Sequence, residues 1–228
     1  MTEIWNGLVQ AVKLIIGLDP EVLQIAVRSL QFALTSTVIG SLIFIPLGSL
    51  IHFNEFTGKK FLISLIQTLY AVPTVAIGLF VFVFLSRSGP LGSWGLLYSP
   101  TAIIIGQSIL IGPILVGLTI SAFKGVDRPI LDTARSLGAN GIQLAMMVVK
   151  EARYAVISAI IMAFGRAISE VGVSLMVGGN IKGFTRVLTT AISLETSKGD
   201  IEFSMALGII LVGMALVVNI IMSRVQQR

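Results

Sequence analysis

The 228-residue chain contains no cysteine. That excludes disulfides, zinc fingers and iron–sulfur clusters held by thiolates. It contains one histidine, His52, at the end of an apolar run. A lone histidine in that position is expected to sit at a membrane interface, and no metal site is expected. Charge is scarce. Asp, Glu, Lys and Arg make up 12% of the chain, against about 25% in soluble domains, and the mean hydropathy is +0.96. A soluble protein is thereby excluded. The net charge of +5 does not point to nucleic acid, because positive cytoplasmic loops explain a basic, apolar chain. A phosphate-binding loop for ATP is also missing. The nearest match to G-x-x-x-x-G-K-[ST] is "TGKK", Thr57–Lys60, where Phe53 replaces the first glycine and Lys60 the Ser/Thr. No basic segment precedes the first apolar stretch, which carries Glu3, so no cleavable signal peptide is expected. No repeat of about 20 to 50 residues stands out.

What is present is a set of long apolar runs. A membrane-spanning helix needs about 20 apolar residues. Five runs qualify, at about 30–51, 61–85, 101–123, 156–178 and 203–222. The expected fold is an all-α integral membrane protein, one transmembrane domain over 1–228. The run 4–18 is only 15 residues long, with Asn6, Gln10 and Lys13 spaced through it. It predicts an interfacial helix lying along the membrane, with a sixth span as the alternative. "LDPE" then stops one helix and starts the next, Asp19 capping and Pro20 fitting a first position. Nine of the 16 Lys and Arg fall in one set of loops, six in the other, and Arg166 lies inside a span. This bias predicts the N-terminus outside and the C-terminus in the cytoplasm. Pro46, Pro73 and Pro113 lie inside the first three runs, where a missing N–H kinks a helix. Kinked spans suit a pathway and equally suit packing.

One insert, "VDRPILDTARSLGAN" (126–140), is polar and charged. It lies in a predicted cytoplasmic loop, 124–155. Asp127 can cap, Pro129 fits a first turn, and Gly138 is a natural helix stop. Ile130, Leu131, Ala134 and Leu137 form an apolar stripe. A partner or this protein's own helix ends must cover it. After "GANG" a second helix, "IQLAMMVVKEARYAV", leads into the fourth span.

The segment "DTARSLGANGIQLAMMVVKEARYAV" resembles the EAA motif of ABC importer permeases, Glu-Ala-Ala, three residues, Gly, then an apolar stretch ending in proline. Asp132, Thr133 and Ala134 stand at Glu-Ala-Ala and Gly138 at the glycine. Lys150 replaces the usual proline, which leaves the bend into the fourth span open. The resemblance implies a coupling helix, with Asp132, Thr133, Ala134, Ser136, Leu137 and Gly138 facing a separate ATPase subunit. ATP and Mg would be bound there and no cofactor by this chain.

A second segment, Phe164–Asp200, resembles the oxyanion branch of these permeases, those for molybdate, tungstate and sulfate. The matching residues are Arg166, Ala167, Glu170, Gly172, Gly179, Asn180, Ile181, Gly183, Thr185, Leu188, Thr189, Ala191 and Ile192. "MVGGNIKGFTRVLTTAISLETSKGD" looks most like tungstate permeases. What the resemblance implies is a five-span permease of the molybdate- and methionine-importer type in a prokaryotic plasma or inner membrane. It implies two copies of the chain, two ATPase subunits and an extracytoplasmic oxyanion-binding protein, and no catalytic residues in this chain. A molybdate or sulfate importer is the alternative. An ATP-independent secondary transporter or channel, or a non-transporting scaffold, is the alternative of another class.

The residues themselves add two candidate sites. Arg166 and Glu170 are four apart in the fourth run, so on a continuous helix they share a face. They form either a self-neutralising pair or, with Ser169, part of a pathway or gate. A lone charge at that depth costs about 2.5–3.5 kcal/mol. Ala159, Ala163 and Ala167 form a small-residue row for close packing, with a second copy or with neighbouring spans. After this run, Asn180, Lys182, Thr185, Arg186, Thr189 and Thr190 gather hydroxyls and two cations near Gly178 and Gly179. They suit docking of a binding protein, contact with an anion, or plain solvation.

Overall fold

A computed structural model describes residues 2–226. In chain order the helices are α1 (Thr2–Ile16), α2 (Pro20–Phe53), α3 (Lys59–Thr68), α4 (Thr74–Leu85), α5 (Pro100–Lys124) and α6 (Arg128–Ser136). They continue with α7 (Gly141–Glu151), α8 (Arg153–Ile168), α9 (Gly172–Gly178), α10 (Leu188–Lys198) and α11 (Ile201–Gln226). No strand occurs among the described residues. The all-α membrane architecture therefore stands. Three helices, α2, α5 and α11, are each long and apolar enough to cross a bilayer. Two bent pairs, α3 with α4 and α8 with α9, raise the number to five if each crosses as one.

The proline in the second run breaks its helix; those in the first and third do not. Pro46 and Pro113 sit inside continuous helices. Pro73 ends one: Val72 before it is extended at φ −64°, ψ 131°, as the ring of a following proline demands. The chain turns by 101° between α3 and α4. Pro73 then starts α4 by accepting from Ala76 N and Ile77 N at 3.0 and 3.3 Å. The predicted continuous span 61–85 is thus two helices.

The start of α2 follows the sequence expectation. Asp19 accepts from the backbone N–H groups of Glu21 and Val22, both at 3.0 Å, and Pro20 occupies the first turn, where no N–H donor is needed. The helix continues for 34 residues, about 51 Å at 1.5 Å per residue. That exceeds a hydrocarbon core of about 30 Å, so part of α2 stands clear of the apolar layer.

The core is built around α5. In α5, 67% of the most apolar window is buried, against 22% in α2 and 17% in α11. One cluster joins Ala33 of α2, Ile111 and Leu115 of α5, and Ala163, Phe164, Ala167 and Ile168 of α8. The alanine row of α8 is spent in this contact within the chain, since Ala159, Ala163 and Ala167 are all at most 1% exposed. Small side chains let the backbones approach closely, which drives helix association where lipid removes the hydrophobic driving force.

The run expected to be helical forms α1, Thr2–Ile16, which packs against α11. The small residues Gly7 and Ala11 point inward. A Cβ on Gly7 would lie 2.8 Å from Met205 Cβ of α11, and Ala11 is 1% exposed. The large apolar residues Trp5, Val12 and Ile16 point outward. Asn6 Nδ2 donates to Glu202 Oε1 of α11 at 2.8 Å.

The stretch expected as an outer loop, 179–202, contains α10. Its first residues, Leu188–Ala191, are buried. Ser29 of α2 caps it from across the fold: Leu188 N donates to Ser29 Oγ at 2.8 Å, while that hydroxyl donates to Ile25 O at 2.7 Å. A cap supplied by a residue 159 positions away gives no local sequence signal.

Candidate functional site

Three places hold the residues singled out by the sequence. The first is the polar insert, 126–140. Helix α6 ends in a Schellman arrangement: Gly138 N donates to Arg135 O at 2.9 Å and Ala139 N to Ala134 O at 3.0 Å. Gly138 has φ +82°, a left-handed conformation that only glycine adopts without strain. No atom would lie within 4 Å of an added Cβ there, so the requirement is conformational, not steric. Asn140 and Gln143 then form a reciprocal capping box at the start of α7, at 2.8 and 2.9 Å. Asp127, expected to cap α6, makes no side-chain cap; its backbone carbonyl accepts from Ile130 N at 3.1 Å instead.

The apolar stripe of α6 divides. Leu131 packs on Phe123, Val148 and Ala152 of the protein itself. Leu137 is 83% exposed, and beyond it Ile142 and Met146 of α7 are 73% and 61% exposed. The wedge of α6 and α7 therefore presents an uncovered apolar patch, with Val149 continuing it at helical spacing. Sequence reasoning had stopped at Leu137. Thr133 and Ser136 donate to carbonyls four residues back, Pro129 O and Asp132 O. Asp132 is exposed, 3.3 Å from Arg135 Nη1. Between α7 and α8, Ala152 N donates to Val148 O at 2.9 Å and Ala152 O accepts from Val156 N at 3.0 Å.

The second place is the fourth run, which breaks between Ile168 and Gly172 with a bend of 56°. The expected Arg166–Glu170 pair does not form: no ion pair links them among the described residues. The four-residue rule fails because the helix ends between them. Glu170 is 2% exposed and its Oε1 accepts from Val173 N at 2.9 Å, capping α9. Its backbone carbonyl accepts from Thr189 Oγ1 of α10 at 2.8 Å.

The carbonyl of Ala167, freed at the end of α8, accepts from Gln107 Nε2 of α5 at 3.2 Å. Gln107 Oε1 lies 2.8 Å from Ser36 Oγ of α2, which shares its hydrogen with Phe32 O at 2.6 Å. In a bilayer a broken helix persists only where neighbours satisfy the freed backbone groups, and here Gln107 of α5 and Thr189 of α10 do so. Gln107 was missed from the sequence. Its sequence signal was a lone amide side chain in a largely apolar 25-residue helix; in the structure it is 3% exposed. Arg166 makes no side-chain hydrogen bond among the described residues. It lies on the outward face of α8 with exposed Met162, Gly165 and Ser169.

The third place is the stretch after α9. Thr185 is fully buried; its hydroxyl donates to Gly178 O at 2.5 Å and accepts from Ile181 N at 2.9 Å. Asn180 has φ +50° and donates to Thr190 O at 3.3 Å. These two shape the loop. Lys182 and Arg186 line a cleft against the start of α2. Lys182 Nζ is 2.8 Å from Glu21 Oε2, and Arg186 Nη1 is 4.0 Å from Glu21 Oε1. Arg28 donates to Gly183 O at 2.9 Å and to Arg186 O at 3.0 Å. Arg28 and Glu21 were legible only as loop charges, because their partners are 155 and 161 residues away.

Several apolar helices around a broken span, with an apolar-faced wedge joined to it, define a multi-pass membrane protein. Residues 44–228 match the family of binding-protein-dependent transport system inner membrane components, and the chain belongs to it. It is 37% identical over 227 residues to the tungstate uptake system permease protein TupB of Peptoclostridium acidaminophilum, covering 100% of both chains. It is 42% identical over 205 residues to a probable anion ABC transporter permease protein of Haloferax volcanii, covering 88% of both. Among solved structures, a bacterial ABC transporter involved in the import of the acidic polysaccharide alginate shares the fold. The TM-score is 0.67 at 18% identity, over 89% of this chain and 79% of that one.

Proposed function

We propose that this chain is the permease subunit of an ATP-binding-cassette importer that carries tungstate into the cytoplasm. The observation that carries the reading is the wedge of α6 and α7. The end of α6 and the start of α7 are capped and the apolar residues Leu137, Ile142 and Met146 are uncovered, as a seat for another protein requires. The occupant is a separate ATPase subunit, which supplies the ATP and Mg chemistry that this sequence lacks. The N-terminus lies outside and the C-terminus in the cytoplasm, so the wedge faces the cytoplasm.

Two copies of the chain enclose the pathway, each engaging one ATPase. The outward Arg166 face of α8 supports this, because an unpaired arginine facing lipid costs about 2.5–3.5 kcal/mol and a second copy or a wet pathway relieves that cost. An extracytoplasmic binding protein delivers the anion to the outer face. Full-length similarity to tungstate uptake permeases at 37% supports the cargo. A sulfate permease of Synechocystis is 24% identical. Molybdate, a tetrahedral dianion like tungstate, is the second reading of the cargo, since a molybdate/tungstate permease of Pyrococcus furiosus is 33% identical over 160 residues.

The test is uptake of radiolabelled tungstate into liposomes holding this chain, its ATPase and its binding protein, with molybdate and sulfate as competitors. ATP-dependent uptake that unlabelled tungstate suppresses, and sulfate does not, is expected. Uptake indifferent to ATP would refute the importer; a preference for sulfate would refute only the cargo.

A further inference from the structure

The cleft between the start of α2 and the loop 179–187 has a use that the wedge and the broken span do not account for. Its volume is about 250 Å³, and Glu21, Gln24, Arg28, Lys182 and Arg186 are among its lining residues. Three cations and one carboxylate leave the cleft with a net charge of +2, the charge that a dianion cancels.

The cations are unequally satisfied. Both terminal nitrogens of Arg28 are engaged by the carbonyls of Gly183 and Arg186, so Arg28 fixes the loop and adds positive charge behind it. Lys182 is exposed and bonded to Glu21. The Arg186 side chain is only 13% exposed and reaches no closer than 4.0 Å to Glu21, and its Nε is buried without an acceptor. A buried donor left unmade is costly, and a guanidinium matches the oxygens of an oxyanion with two parallel bonds. Glu21 has two oxygens to divide between two cations. A tetrahedral oxyanion has four, and the Gln24 amide adds a neutral donor.

We propose that this cleft binds a tetrahedral oxyanion dianion between Lys182 and Arg186, and that Glu21 is the built-in competitor which the anion displaces. The site rests on the importer reading above, which puts the cleft on the outer face, where a delivered anion arrives. The cation that lacks an acceptor is the buried one and not one on the rim. This favours a small anion over an acidic side chain of a docking protein. A bound anion leaves when Glu21 returns, so the competitor keeps the site weak enough to release its cargo.

The experiment measures binding of radiolabelled tungstate to the complex of this chain with its ATPase in nanodiscs, without binding protein. Glu21→Gln removes the competitor and is expected to tighten binding by about fivefold, the worth of an exposed ion pair. Lys182→Gln is expected to weaken it by roughly tenfold or more, as loss of a charge-assisted contact does. Arg186→Lys is expected to weaken it with the complex still intact by gel filtration. Unchanged or weaker binding by Glu21→Gln overturns the proposal. So does an absence of binding in a complex that still imports tungstate with ATP and binding protein, which leaves the importer reading standing. If Lys182→Gln spares anion binding and lowers only the affinity for the binding protein, the cleft is a docking surface and the proposal fails.

Discussion

Replacing Glu170 separates two accounts of the broken fourth span. On a continuous helix Glu170 would neutralise Arg166, and loss of either charge would leave the other buried and unpaired. In the structure Glu170 is a cap: Oε1 accepts from Val173 N at 2.9 Å and nothing links it to Arg166. Glu170→Gln keeps an amide oxygen for that N–H, so it is expected to cost at most about 1 kcal/mol. Glu170→Leu removes the acceptor and orphans a buried N–H, for a cost of about 1–3 kcal/mol. A double-mutant cycle with Arg166→Met should give a coupling near zero, within about 0.5 kcal/mol.

The assay is reversible unfolding in mixed micelles, read for wild type, both single variants and the double. An ion pair predicts the opposite pattern: Glu170→Gln as costly as Glu170→Leu, and a coupling of 1 kcal/mol or more, on the order of 0.5–3 kcal/mol for contacting residues. That pattern would refute the cap and, with it, the break at Ile168–Gly172.

Other sites give shorter tests. A Cβ on Gly117 of α5 would overlap the Tyr70 hydroxyl, so Gly117→Ala should destabilise by about 1–3 kcal/mol, and Tyr70→Phe should recover part of that in a thermal melt. Leu137→Asp and Ile142→Asp alter side chains that are 83% and 73% exposed. Folding should therefore survive while co-purification of the ATPase subunit is lost, and retained co-purification would remove the wedge as its seat. Gly138→Val forces a β-branched residue to φ +82°, costing about 1–2 kcal/mol locally. Circular dichroism should stay unchanged while ATP-driven uptake falls. In a chain with no cysteine, Val12→Cys takes a spin label uniquely. High oxygen and low nickel-chelate accessibility would place the outward face of α1 in acyl chains, and the reverse would lay α1 at the surface.

The parts of the fold that were legible in the sequence are those set by local chemistry. Asp19–Pro20 and the Gly138 stop are decided within four residues and appear as capping rules require; the Asn140–Gln143 box is equally local but was not singled out, and Asp127 does not cap. Apolar run length also marked α2, α5 and α11, each a continuous helix long and apolar enough to cross a bilayer. Two things were not local. The effect of a proline depends on whether its surroundings tolerate an unbroken helix, so Pro73 breaks its helix while Pro46 and Pro113 lie inside continuous ones. The partners of buried polar groups come from elsewhere in the chain: Ser29 caps α10, Gln107 receives the end of α8, and Arg28 holds the loop after α9.

Spacing arguments depend on the same distinction. The four-residue rule that paired Arg166 with Glu170 assumes unbroken hydrogen bonding between them, and the break lies between them. Once the helix ends at Ile168, the two charges acquire separate surroundings. Glu170 turns inward to an amide at the start of α9, and its carbonyl is fixed by Thr189 of α10. Arg166 stays on the outward face of α8, with no side-chain hydrogen bond or ion pair among the described residues. A buried, capped carboxylate makes the bend a fixed part of the fold.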